Sequence, residues 1–195
     1  MKDKKPLIQH GEGVTDIDGN IYTSVIIGEQ EWMVENLRTA KYSDGTSISN
    51  LTENYVWEDL LTGAWCNYDN NIQKGSTYGN LYNWYAVETG KLAPEGWRVP
   101  TDTDWTVLVD YLTANGHIGT EGKVLKSTSG WVDNGNGTDD YGWNGLSGGW
   151  RDPLSIHQQT IQTSKGRVNF FSECIDAGSY GGWWSSSQDD ADGGW

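Results

Sequence analysis

The chain has 195 residues, enough for one domain to bury a core without disulfide or metal staples. Asp and Glu number 27 against 13 Lys and Arg, and the formal net charge of −14 argues against nucleic acid or an anionic membrane surface as partner. Twelve Trp and ten Tyr against two Phe, with 26 Gly, exclude a disordered chain or a coiled coil and predict a hydrogen-bonded, loop-rich core.

Residues 1–13 are polar and aperiodic and read as an N-terminal tail, followed by a single domain over 14–195. The basic start leads into no apolar stretch, so no signal peptide is visible, and no run of 18 apolar residues predicts membrane insertion. Asp16-Ile17-Asp18-Gly19-Asn20 is dense in turn formers. Residues 21–27 are rich in β-branched side chains and predict a strand. Gly28-Glu29 suits a two-residue hairpin turn with glycine first, and residues 30–36 return as the second strand. Residues 38–78 read mostly as loop. Leu81, Trp84, Tyr85 and Glu88 fall at helical spacing, with Gly90 as a stop.

The clearest helix follows Pro100. Thr101 is its expected N-cap and Asp104 completes a capping box. Trp105, Leu108, Val109 and Leu112 form one apolar face, and Gly116 ends the helix. Beyond residue 120 short strands are expected at 123–126, 141–146, 168–171 and 183–186, with a loop at 133–140. Two helices among short antiparallel strands and much irregular loop make the class α+β.

Five stretches carry a family resemblance. They are Asp16 to Tyr22 with Gly28 to Leu37, Tyr78 to Val87, Gly96 to Trp105, Gly145 to Arg151, and Trp183 to Ser186. In this order they resemble the Fibrobacter succinogenes major paralogous domain. The resemblance implies a C-type-lectin-like fold of the formylglycine-generating-enzyme branch. It also implies surface proteins or lipoproteins of Bacteroidetes-type bacteria, and the variable proteins of diversity-generating retroelements, some phage-borne, in which a C-terminal stretch is rewritten.

Three departures stand out. The family usually runs on through further strands to a Ser-Val-Arg-Cys end, so the last C-terminal strands are expected to be missing here. Gly145-Leu146-Ser147-Gly148-Gly149 replaces the usual Leu-Pro-Gly-Gly. Residues 152–176 are longer than the pattern and unlike it.

The candidate chemistry is thin. Gly145 to Gly149 matches G-x-S-x-G, but no βαβ series surrounds it, and a structural turn is the favoured reading of Ser147. Asp133 to Asp140 and Asp16 to Asn20 offer oxygen ligands without EF-hand spacing. A hairpin loop is favoured at 133–140. Since the wider fold often holds structural calcium, that ion alone is kept open as a cofactor, with no metal ligand assigned. Cys66 and Cys174 lie 108 residues apart, which excludes a local CxxC motif and leaves one bridge undetermined. Formylglycine-generating enzymes use a paired-cysteine copper site. Neither cysteine has a Cys neighbour in sequence or a His cluster, and His10, His117 and His157 are scattered. The Glu-Pro-Asn and Gln-Pro-Asp triplets of calcium-dependent lectins are absent. Trp32, Trp84, Trp97, Trp105 and Trp184 are expected in the core, and Trp150, Trp183 and Trp195 partly exposed.

The expected function is therefore non-enzymatic ligand binding or display, of the adhesin or receptor-binding type. The partner would be a protein or glycan on a cell surface, met by the C-terminal segment, where irregular sequence on a fixed scaffold concentrates contacts. His157, Gln159, Arg167, Phe170, Gln188 and Asp189 are the candidate ligand-binding residues. The expected location is extracellular, at the cell surface or on a virion, and the oligomeric state is left open. The alternatives are an oxidase of the formylglycine-generating type and a structural domain that docks a partner strand.

Overall fold

The computed structural model describes residues 5–53, 56–57, 60–151, 160–163, 166–169, 174 and 176–187, with only the backbone considered at 160–169. It is α+β, with short strands in four small sheets, four α-helices described end to end, and helical backbone at Val56 and Trp57.

The expected hairpin is present. Strands β4 (Ser24–Ile27) and β5 (Gln30–Met33) pair with Val25 opposite Trp32, and Gly28 turns the chain at φ +66°. The predicted strand 21–27 is nevertheless split. The N–H and Oγ1 of Thr23 both donate to the Glu35 carboxylate, at 2.7 and 3.0 Å, so Thr23 leaves the ladder. Upstream of it, β3 (Ile21–Tyr22) pairs with β2 (Val14–Thr15). The tail is shorter than expected, because β1 (Gln9–His10) pairs with β4 and makes a third strand of the hairpin sheet.

Asp16 organises the first turn. Its Oδ1 accepts from the N–H groups of Asp18 and Asn20, and its Oδ2 from Asn20 Nδ2 and Tyr22 Oη, at 2.7–3.0 Å. This turn, with the look of a cation loop in sequence, is satisfied by the protein's own donors.

The stretch 38–78 is more regular than expected. It holds β6 (Ser49–Asn50), parallel to β7 (Ala64–Cys66), and a 3₁₀ turn at Tyr68–Asn70. Helix α1 (Ile72–Tyr78) follows, capped by the Asn71 side chain. Gly75, Ser76 and Thr77 give α1 weak propensity, which hid it. Gly75 is needed there, since a Cβ would meet Asn67 Nδ2 at 2.1 Å. The helix predicted from residue 81 begins later. Leu81–Tyr82 is β8, antiparallel to β7, and α2 (Trp84–Glu88) is capped by Asn83.

Helix α3 (Asp102–Ala114) has the full capping box of Thr101 and Asp104. Leu108 and Leu112 are buried, while Val109, expected beside them, faces solvent at 44% exposure. Residues 123–126 are not a strand: Glu121–Leu125 forms α4, which buries the adjacent Val124 and Leu125. Residues 141–146 and 183–186 are also not strands; an isolated bridge joins Lys126 to Gly145, and another joins Gly149 to Gly181 between the two ranges. The divergent stretch contains an antiparallel hairpin, β9 (Thr160–Thr163) with β10 (Gly166–Asn169); β10 overlaps the strand expected at 168–171 but begins two residues earlier, and β9 was not expected.

The main core joins Val25, Ile27 and Trp32 of the hairpin to Leu108 and Leu112 of α3, Val124 and Leu125 of α4, and Tyr141 and Trp143. A second cluster gathers Ile48, Tyr82, Ala86, Val87 and Leu92, and a third Trp57, Ala64 and Cys66. Trp57, Trp131 and Trp143 are buried tryptophans that the sequence did not single out. Of the five expected in the core only Trp32 is fully buried, and Trp84, Trp97, Trp105 and Trp184 are half-buried.

Candidate functional site

The indoles form a connected array. Trp32 lies against Trp105 with ring centroids 4.8 Å apart, both meet Trp143 edge-on at 6.4 and 6.1 Å, and Trp183 lies 4.8 Å from Trp143. Offset and edge-on geometries of this kind suit the ring quadrupoles. Their N–H groups reach across the chain. Trp183 donates to Asn36 Oδ1 at 3.1 Å, Trp184 to the Tyr82 carbonyl at 3.0 Å, and Trp105 to the Trp184 carbonyl at 3.3 Å.

Hydroxyls then stitch residues 183–187 to the start of α3. Ser185 Oγ donates to the Asp102 carboxylate, the Ser186 N–H donates to the Pro100 carbonyl at 2.7 Å, and the Asp102 N–H donates to Ser187 Oγ at 3.1 Å.

Between the hairpin, the start of α3 and this seam lies a cavity of about 530 Å³. Trp97, Trp105, Trp183 and Trp184 line it, with Glu29, Glu35, Asn36, Arg98 and Asp104 as polar groups. Its volume falls within the usual range of small-molecule sites. Arg98 reaches Asp104 at 2.7 Å. Burial opposes ionisation of Asp104, yet the Thr101 N–H and the Arg98 guanidinium hold its carboxyl below the usual aspartate range. Two buried side-chain atoms among the described residues lack a partner, Trp32 Nε1 and Gln30 Oε1. Both residues line this cavity, and Gln30 is held by its Nε2 on the Asp104 carbonyl at 3.0 Å.

The cavity lining draws on part of each of the five stretches that carry the family resemblance, through residues 29–37, 78, 80–82, 96–100, 104–105, 145–146, 148–149 and 183–184, but not on Asp16 to Tyr22. A family model for the Fibrobacter succinogenes major domain matches residues 25–195. The chain belongs to that family. No curated protein and no solved structure matches it.

In this Fibrobacter succinogenes major domain the Gly-rich stretch is structural. Ser147 is 1% exposed and donates its hydroxyl proton to the Gly130 carbonyl at 2.6 Å, so its oxygen is not presented as a nucleophile. In the 133–140 loop, Asp139 Oδ1 accepts from the Asn144 N–H and Asn136 Oδ1 from the Trp131 N–H. Among the described residues no three His, Cys, Asp or Glu side chains gather in metal-binding geometry.

Residues 147–150 and 176–180, on either side of the divergent stretch, form two feet that are tied together. The Gly149 N–H donates to the Tyr180 carbonyl at 2.9 Å, the Gly178 N–H to the Ser147 carbonyl at 2.8 Å, and Trp150 Nε1 to Asp176 at 3.4 Å. Arg151 anchors one foot, bonding the carbonyls of Leu51 and Thr52 with its guanidinium 4.6 Å from the Trp57 ring centre. The Ala177 N–H anchors the other on Tyr68 Oη at 3.2 Å.

Between these anchors the two cysteines meet, although no sequence neighbour of either is a cysteine. The Cys66 thiol interacts with the Cys174 thiol. Cys66 is wholly buried and Cys174 half-buried. The contact with Cys66 lowers the acidity threshold of Cys174 against the effect of burial, helped by the Asp69 N–H and Arg151 and opposed by the Asp69 charge. The contact with Cys174 and burial raise that of Cys66.

Of the expected ligand-binding residues, His157, Gln159, Phe170, Gln188 and Asp189 lie outside the described residues. Arg167 lies in β10 opposite Gln162. The cavity was missed because its lining is scattered over some 150 positions. The fact that the motifs converge was the one available signal.

Proposed function

We propose that this domain is a non-catalytic binding module, displayed at a cell or virion surface, that takes a glycan or protein partner. The ligand enters the tryptophan-lined cavity, and residues of the C-terminal segment add the contacts that select it. The cavity carries this reading: flat indole faces beside carboxylates, an amide and a guanidinium match the apolar faces and hydroxyls of a sugar, which makes a glycan the first ligand to test. Such a scaffold, of the C-type-lectin-like kind implied by the resemblance, would hold the cavity rigid while the segment sets specificity. His157, Gln159, Arg167, Phe170, Gln188 and Asp189 are the contacts proposed there. Among the described residues no helix is long and apolar enough to cross a membrane.

The test is a glycan array followed by calorimetric titration of any hit. Trp97→Ala should weaken binding at least tenfold with the fold intact by circular dichroism. Replacing residues 152–173 by a Gly/Ser linker should change or abolish selectivity. Unchanged affinity in both variants would remove the cavity and the segment as the site.

A further inference from the structure

Beside the two feet of the divergent stretch a buried free thiol, Cys66, meets a half-buried free one, Cys174. Cys66 ends β7 and packs with Trp57 and Ala64. Cys174 comes beside it three residues before Ala177, whose N–H is fixed on Tyr68 Oη, two residues after Cys66. Arg151 is fastened to Leu51, Thr52 and Trp57 and acts electrostatically on both sulfurs. The chain at Arg151 and at Ala177, on either side of Cys174, is thus fixed by contacts that do not involve sulfur. The two thiols are also unequal. Cys174 is the more accessible and is supported as a thiolate by the Cys66 S–H, the Asp69 N–H and Arg151, with the Asp69 carboxylate as the opposing charge. Reactivity in thiols follows thiolate character and access.

We propose that Cys66 and Cys174 are a thiol–disulfide exchange pair, Cys174 attacking and Cys66 resolving, which a small-molecule disulfide such as oxidised glutathione converts into an internal disulfide. In the first step the Cys174 thiolate attacks one glutathione sulfur, forms a mixed disulfide and expels a glutathione thiolate. That thiolate takes the Cys66 proton. Cys66 then attacks Cys174 Sγ and expels the second glutathione as its thiolate. The protein dithiol loses two electrons, and one glutathione disulfide becomes two thiols. The bond fastens the divergent stretch to β7 and closes a loop of more than a hundred residues, which stabilises chiefly through the unfolded chain.

The experiment uses the full chain, reduced, freed of reductant and exposed to oxidised glutathione at neutral pH, then read by intact mass and peptide mapping. The expected product is lighter by two hydrogens, carries a peptide linking Cys66 to Cys174, and melts at a higher temperature that dithiothreitol reverses. Cys66→Ser should stop at one glutathione on Cys174, and native Cys174→Ser should stay unmodified. Two glutathiones per chain, a disulfide-linked dimer, or no reaction by the native protein when the denatured one reacts would overturn the proposal. Should Cys66→Ser fail to fold, substoichiometric alkylation of the native wild type decides. Labelling of Cys174 before Cys66 supports the assignment, and the reverse order overturns it.

Discussion

The seam at the start of α3 and the joint between residues 147–149 and 178–180 both join distant parts of the chain, with a different balance of side-chain and backbone bonds. At the seam most joints need a particular side chain: Ser185 to Asp102, Ser187 to the Asp102 N–H, Trp105 to the Trp184 carbonyl, and indole on indole beneath, beside one backbone pair from Ser186 to Pro100. At the second joint two bonds run backbone to backbone, Gly149 to Tyr180 and Gly178 to Ser147. Side-chain joints tolerate few replacements. Backbone joints demand only the right dihedrals and clearance, supplied here by glycines: Gly149 and Gly178 have φ of +65° and +93°, and a Cβ on Gly181 would meet the Leu146 carbonyl oxygen at 2.4 Å. The cavity wall is therefore bound to particular residues, whereas the segment between the feet can change its residues without weakening the joint that carries it.

That contrast can be broken most forcefully at Trp143, 7% exposed and in ring contact with Trp32, Trp105 and Trp183. Trp143→Ala should cost about 3–5 kcal/mol in urea melts, and a loss under about 1 kcal/mol would mean that the array does not hold the seam. A smaller effect is expected at the helix cap. Thr101→Ala removes the side chain that accepts from the Asp104 N–H, and about 1–2 kcal/mol should be lost by the same measurement. Replacing residues 152–173 with a Gly/Ser linker of equal length should cost less than about 1 kcal/mol if the backbone joint closes by itself. A collapse of the melting transition would show instead that the segment is core.

Acid separates the two joints most gently. Asp104 has its folded carboxyl held below its ordinary value of 3.8. Its contribution is complete above that value and is lost as pH falls through the lower folded one, because the unfolded chain takes up the proton first. Stability should therefore decline below about pH 4, with a shallower decline in Asp104→Asn. Amide exchange at Gly149 and Gly178, whose backbone pairs do not titrate, should lag behind exchange at the start of α3. An equal response at both joints would erase the distinction.

Local rules made some of this legible from residues alone. Gly28-Glu29 announced its hairpin, and Thr101 with Asp104 announced the cap of α3, because each acts within a few positions of itself. What was hidden depends on partners far along the chain. Nothing near Thr23 says that Glu35 will take its N–H and split the strand. Nothing in the polar run around Gln9 says that it will pair with Ile26. Residues 123–126 carry too short a pattern to tell strand from helix, and the structure places them in α4 with Val124 and Leu125 both buried. The cavity was legible only as five motifs without a place, and the two cysteines only as an undecided pair.

The meeting of the two feet also separates length from stability. For a flexible connection the entropy of closing the ends grows only with the logarithm of its length, so doubling the residues between Trp150 and Asp176 should cost only about 0.6 kcal/mol. Chains of quite different reach can thus be mounted on the same backbone joint, and a longer one than the scaffold needs is a small thermodynamic burden for the domain that carries it.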